Sequence, residues 1–183
     1  MTSIHLKTPL SEIEVRGLDI GDIVYISGTV VTARDQAHRR AIRESKKGER
    51  VLTDLKEGVL YHCGPVVKRM DDSWSVVAAG PTTSYRMEEM AAEFIERFKV
   101  RMIIGKGGMG QKTRLGLERF GAVYCDFTGG AALLAARAIK KVEGVEWLDL
   151  GIPEAMWKFT VEEFGPLLVT MDSRGNNYRD SIG

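Results

Sequence analysis

The sequence is short of cysteine, of long apolar runs and of any excess of one charge, and each shortage removes a class of protein. Only two cysteines, Cys63 and Cys125, occur in 183 residues. Each ends an apolar run, Leu60-Tyr61-His62-Cys63 and Ala122-Val123-Tyr124-Cys125, so both read as buried free thiols rather than a disulfide scaffold. Two thiols without metal-ligand spacing cannot hold an iron–sulfur cluster, which usually takes about three or four. Lysine plus arginine (26) nearly cancels aspartate plus glutamate (25), which argues against nucleic acid or a membrane surface as partner. No uncharged apolar stretch approaches the roughly 20 residues that span a bilayer. Residues 1–20 lack the basic start, apolar middle and small-residue cleavage site of a secretory signal. The expectation is a cytoplasmic protein.

What is present suits a folded enzyme-sized domain. The hydrophobic fraction of 44% and charged fraction of 28% are ordinary for a globular chain, and the length suits one domain over residues 1–183. Alternation over residues 4–15 predicts edge strands broken at Pro9. A long strand follows at 23–31, weakened at Gly28, then a polar helix over 35–49 and strands at 59–63 and 75–79. From Met87 the character changes. Apolar spacing predicts an amphipathic helix over 87–98, a short buried strand at 100–104, and a helix running to Phe120. A strand at 122–125 leads to an alanine-rich helix opened by Thr128-Gly129-Gly130 and running through Ile139. Strands at 145–150 and 166–171 close the chain, with a helix-compatible stretch from Pro153 between them. The expected fold class is α/β: a β-rich first third, then βαβ units on a mainly parallel sheet.

Three segments carry chemistry. In Gly80-Pro81-Thr82-Thr83-Ser84-Tyr85-Arg86, three hydroxyls exceed what one helix cap needs. Arg86 falls on the same face as Thr82 one turn later if the helix already includes Thr82. A cation in a first turn opposes the macrodipole and makes sense beside a bound anion. Gly105-Lys106-Gly107-Gly108-Met109-Gly110 matches the G-x-G-x-x-G dinucleotide fingerprint, with Asp126 near the expected acidic position. The same loop could instead hold Lys106 toward a carboxylate. Arg34, in Ala33-Arg34-Asp35 after the long strand, is either a carboxylate fork or a surface partner of Asp35. His38 reads as a proton carrier or a cap. The run Arg39-Arg40-Arg43-Lys46-Lys47, interrupted by Glu44 and lacking aromatics, reads as a solvated helix face. Arg34, Thr82, Arg86 and Lys106, all presented at strand ends, suit a small dianionic acid.

Taken together, residues 21–38, 61–67, 79–87, 103–109, 129–132, 150–157 and 169–176 resemble the β subunit, equivalent to the C-terminal domain, of the iron–sulfur class I fumarases and the related tartrate dehydratases. The likeness covers nearly the whole chain, and Gly-Pro-Thr-Thr-Ser followed by Gly-Lys-Gly-Gly is its most specific part. The resemblance implies a swivelling β/β/α domain that closes over a larger α subunit. It places a [4Fe–4S] cluster on that partner and none on this chain, in a hetero-oligomer built on αβ pairs and inactive without α. The implied reaction is fumarate plus water ⇌ L-malate, or tartrate to oxaloacetate, on a C4 dicarboxylate. Carried over by motif, Thr82 is the base, supported by Arg86 and Lys106, while Arg34 binds a carboxylate and Thr83 lines the substrate. A reading from another class, a non-catalytic nucleotide or small-acid binding module, stands beside it.

Overall fold

The computed structural model describes residues 3–51, 55–127 and 132–181. Its central element is β2 (Ile23–Thr32), a β-branched strand with two differently paired halves. Residues 23–27 pair in parallel with β1 (Ser3–Lys7), and residues 30–32 pair in parallel with β3 (Val59–Tyr61). Between the halves Thr8 Oγ1 accepts the Thr29 N–H at 2.5 Å, so the donor that neither strand reaches is satisfied. Strands β6 (Met102–Gly105) and β7 (Val123–Phe127) extend the parallel set beyond β3.

The last strand, β9 (Met156–Met171), is antiparallel to everything it touches. One of its edges pairs with β2, and the other pairs with β7 and with β8 (Ile139–Glu146). The sheet therefore closes on itself as β2–β3–β6–β7–β9, with β1 and β8 as flanking extensions. Inward side chains alternate along each strand: Val24, Ile26, Val30; Val59, Tyr61; Met102, Ile104; Val123, Cys125, Phe127. On β9 the inward set runs Trp157, Phe159, Val161, then Phe164, then Leu167 and Val169. Two steps of three coincide with register shifts against β2, between Ile26 and Gly28 and between Val24 and Ile26. Each shift inserts one extra residue, the bulge that lets a long strand bend around a barrel.

The opposite face of the same strands carries the helices. Val31, Leu60, Ile103 and Tyr124 pack with Ala37, Ala41 and Ile42 of α2 (Asp35–Lys46), with Ala91, Phe94 and Ile95 of α3 (Glu88–Phe98), and with Leu117 of α4 (Gln111–Phe120). Helix α4 ends at Gly121 in the left-handed region, φ 69°. A hairpin of β4 (Val66–Met70) and β5 (Ser73–Ala78) lies outside the barrel sheet. Its Trp74 meets Trp157 edge-on at 5.2 Å. No helix among the described residues is long and apolar enough to cross a membrane.

Several expectations change. Ile13 and Val15 lie not in an edge strand but in a short helix, α1 (Glu12–Arg16). Ser11 and Glu14 cap it reciprocally, Glu14 N–H to Ser11 Oγ and Ser11 N–H to the Glu14 carboxylate. The alanine-rich helix is α5 (Ala132–Ala138), and Ile139 already begins β8. The opening Thr128-Gly129-Gly130 lies outside the described residues. Leu148–Leu150 form a 3-10 turn rather than a strand end. The stretch after Pro153 is β9, not helix, so the parallel core is sealed by an antiparallel strand.

Phe164 is fully buried at the β2–β9 seam and contacts Tyr61 at 5.2 Å and Phe127 at 5.1 Å, both edge-on. Phe164→Ala is expected to lose about 3–5 kcal/mol in urea unfolding, and a loss under about 1 kcal/mol would show that the seam does not depend on it.

Candidate active site

Because β2, β3, β6 and β7 run in parallel, their C-terminal ends share one rim of the barrel. Arg34 stands two residues past β2 and opens α2. Its Nε lies 3.2 Å from Glu154, and its guanidinium passes over Gly64, where a Cβ would come within 2.8 Å of Nη1. Thr82 follows β5 and is tied to the end of β3 by its N–H to His62 O at 2.7 Å. Thr83 bridges Lys106, and Ser84 N–H donates to Lys106 O at 3.0 Å. Arg86 reaches Asp35, the first residue of α2, at 2.5 Å. Arg34, Thr82, Thr83, Arg86 and Lys106 are thus drawn onto one rim from three separate segments of the chain.

Local geometry corrects two details. The helical turn begins at Ser84, with Thr83 as its cap residue making no side-chain cap bond, so Thr82 precedes the helix and does not share a helical face with Arg86. Asp35 pairs with Arg86 rather than with Arg34, which takes Glu154 instead. Lys106 is exposed and makes no ion pair among the described residues. The Thr82 hydroxyl likewise has no side-chain hydrogen bond there.

Beneath the rim lies a buried polar layer that only the fold reveals. His38 Nδ1 sits 2.8 Å from Arg34 O, and His62 Nδ1 sits 2.9 Å from Ser84 Oγ. The two imidazoles meet edge-on at 5.2 Å, and neither Nε2 has a partner among the described residues. Burial holds His38 down at about 4 despite its bond to Arg34 O, and burial holds His62 well below the usual imidazole range. Both are neutral at physiological pH, so His38 is neither the exposed cap nor a proton carrier in contact with solvent.

The glycine loop does not offer its helix to a phosphate. The Glu88 carboxylate accepts from Gly110 N–H at 2.7 Å, Lys112 N–H at 2.9 Å, and the Thr113 hydroxyl at 2.6 Å. It occupies the donors and the positive helix end that a pyrophosphate would use. At Gly110 a Cβ would fall 2.6 Å from that carboxylate, so this glycine admits Glu88. Asp126 is likewise engaged, by Thr170 Oγ1 at 3.1 Å and Gly108 N–H at 3.4 Å. The dinucleotide reading of this motif is therefore set aside.

Cys63 and Cys125 are fully buried in the barrel core, where burial pushes both thiols up. Among the described residues no three His, Cys, Asp or Glu side chains group as a metal site. The two buried thiols do not by themselves fit an iron–sulfur cluster, which usually takes about three or four thiolates.

Comparison with known proteins agrees with the motif likeness. The family described as Fumarase C-terminus matches residues 1–182. The L(+)-tartrate dehydratase subunit beta of Escherichia coli (strain K12) is 42% identical over 172 residues, 94% of this chain and 84% of that one. A putative L(+)-tartrate dehydratase subunit beta of Methanocaldococcus jannaschii is 44% identical over 174 residues, 94% and 89% of the two chains. A putative fumarate hydratase class I of Geobacillus stearothermophilus is 43% identical over 180 residues, 98% of this chain but 34% of that longer one.

The buried imidazoles set a pH dependence. An unfolded histidine titrates near about 6.5, so below that pH the unfolded chain binds protons that the folded chain refuses. Stability is complete above about 6.5 and is lost as pH falls toward 4. The carboxylates held low by partners, Glu12, Glu14, Glu93 and Glu143, add to this only below about 4.5. The thermal midpoint should fall between pH 7 and pH 5, and His38→Gln should flatten that slope. An unchanged slope in the variant would remove His38 as its source.

Proposed function

The chain belongs to the fumarase C-terminus family, and from that membership we propose that it is the β subunit of a hydro-lyase acting on a C4 dicarboxylate. The observation that carries the reading is the convergence of Arg34, Thr82, Arg86 and Lys106 at one barrel rim. Arg34 presents a planar fork to one carboxylate of the substrate, and the exposed Lys106 supplies a point charge to the other. Thr82 takes the proton from the carbon beside a carboxylate. Arg86 and Lys106 stabilise both its alkoxide and the negative charge that develops on the carboxylate as the proton leaves. Thr83, exposed beside Lys106, is a further substrate contact on the same rim.

In this reading the [4Fe–4S] cluster belongs to the α subunit, over which the β domain swivels closed, and this chain contributes binding and proton transfer. The preferred reaction is fumarate plus water ⇌ L-malate. Tartrate to oxaloacetate is the second reading, favoured by the names of the two relatives that this chain covers along most of their length. The two differ by one hydroxyl on the substrate, a difference that polar contacts decide.

Anaerobic co-expression with the α subunit, followed by assays on malate and on tartrate, tests the assignment. Turnover is expected with both chains and with neither alone. Thr82→Ala is expected to lower kcat by roughly 10²–10⁴ with assembly intact, the usual range for removing a general base. Turnover retained within about tenfold would remove Thr82 from that role. A stable complex that turns over neither acid would overturn the substrate assignment.

A further inference from the structure

Of the three consecutive hydroxyls in Thr82-Thr83-Ser84, only Ser84 is fully buried, and its surroundings are built around it. Its Oγ lies 2.9 Å from His62 Nδ1 and 3.0 Å from Tyr124 Oη, and Tyr124 Oη lies 3.2 Å from Asp126 Oδ1. A Cβ on Gly105 would overlap Ser84 Oγ, so the side chain missing at that glycine is the space the hydroxyl fills. His62 holds the segment twice, through its ring to Ser84 and through its carbonyl to Thr82 N–H. Lys106 is held by the same segment, through its carbonyl to Ser84 N–H.

The direction of this chain follows from counting protons. Asp126 is faced by Gly108 N–H, the Thr170 hydroxyl and the Arg179 guanidinium at 3.8 Å, which sets it as an acceptor. Three protons then satisfy all three contacts if His62 Nδ1–H donates to Ser84, Ser84 to Tyr124, and Tyr124 to Asp126. In the reverse order no proton lies between Tyr124 and Asp126, and His62 Nε2–H becomes a buried donor without a partner, the costlier arrangement. His38 obeys the same rule: its Nδ1–H donates to the Arg34 carbonyl and leaves Nε2 bare.

We propose that Ser84 is the positioning residue of this site, and that a one-way hydrogen-bond chain from His62 through Ser84 and Tyr124 to Asp126 holds the segment presenting Thr82. The proposal rests on the reading of Thr82 as the base. Ser84 touches no substrate and acts through Thr82. A dry, fixed layer suits that task, because displacement of about 1 Å at a reacting group can cost about 10²-fold in rate.

The test compares Ser84→Ala, Gly105→Ala and Thr82→Ala in the assembled enzyme. Ser84→Ala is expected to lower kcat by about 10–100-fold while KM stays within about threefold. The primary isotope effect with substrate deuterated at the carbon that loses its proton is expected to rise, because proton removal becomes the slow step. Gly105→Ala, which crowds the hydroxyl without removing it, should reproduce this pattern. A loss of folded protein alone would lower activity without changing the isotope effect. Wild-type kcat and isotope effect in Ser84→Ala, beside an inactive Thr82→Ala, would overturn the positioning role alone. An active Thr82→Ala would instead overturn the reading beneath it. The direction of the chain has its own measurement. Nitrogen-15 NMR of the histidine-labelled full chain, which has three histidines, should show His62 protonated at Nδ1 and bare at Nε2. The opposite tautomer would overturn the one-way chain whatever the kinetics.

Discussion

A ring in which four of five strands run the same way needs something to close it, and here one sixteen-residue strand does so. Strand β9 pairs with β2 along one edge and with β7 and β8 along the other, bending through two inserted residues to reach all three. Closure gives each of the five ring strands a neighbour on both edges and leaves β1 and β8 as the outer strands. It also creates two environments: an interior filled by Trp157, Phe159, Phe164 and their opposites, and an outer wall on which α2, α3 and α4 pack. Because the parallel strands enter the ring in one sense, their C-terminal ends form one rim. The placement of Arg34, Thr82 and Lys106 is a consequence of that geometry.

The rim is built in two layers of different character. Charged side chains at the surface face solvent and one another. Under them, neutral imidazoles, a serine and a tyrosine form a desolvated layer in which every proton has one favourable position. Such a layer is costly when incompletely paired and rigid when paired. The glycines of the rim serve it. Gly105 makes room for Ser84 and Gly110 for the Glu88 carboxylate. A motif that in other contexts wraps a phosphate here admits side chains of its own chain.

What could be read beforehand was whatever is local. Helices α3 and α4 and strands β2, β3, β6 and β7 carry their periods in adjacent residues, Lys106 stands in a glycine loop, and Arg86 follows a Gly-Pro turn. Of strand β9 only residues 166–171 were read as strand, because the bulges near Glu163 and Pro166 break the alternation of its first part, while Pro153 and the residues after it also suit a helix. The capping box of α1 was present as Ser11 and Glu14, but Ile13 and Val15 fit either period. The cap on α4 comes from Glu88, 22 residues before Gly110, a distance that no local pattern spans. Nothing in Thr-Thr-Ser distinguishes the buried hydroxyl from the two that are not. That distinction arises only when Gly105 and Tyr124 are brought beside Ser84.

The ion pairs at the rim have an electrostatic consequence. Arg34 is matched by Glu154 and Arg86 by Asp35, which leaves Lys106 as the one of the three cations without an ion pair among the described residues. On the reading proposed above, a dianion at this rim would meet two cations already paired to carboxylates and one without an ion pair among the described residues. For a substrate to use Arg34 and Arg86 fully, their internal pairs would have to exchange partners on binding. A rim compensated in this way is quiet toward stray anions. If an α subunit closes over this rim as proposed, dividing one site between two chains also divides its charge.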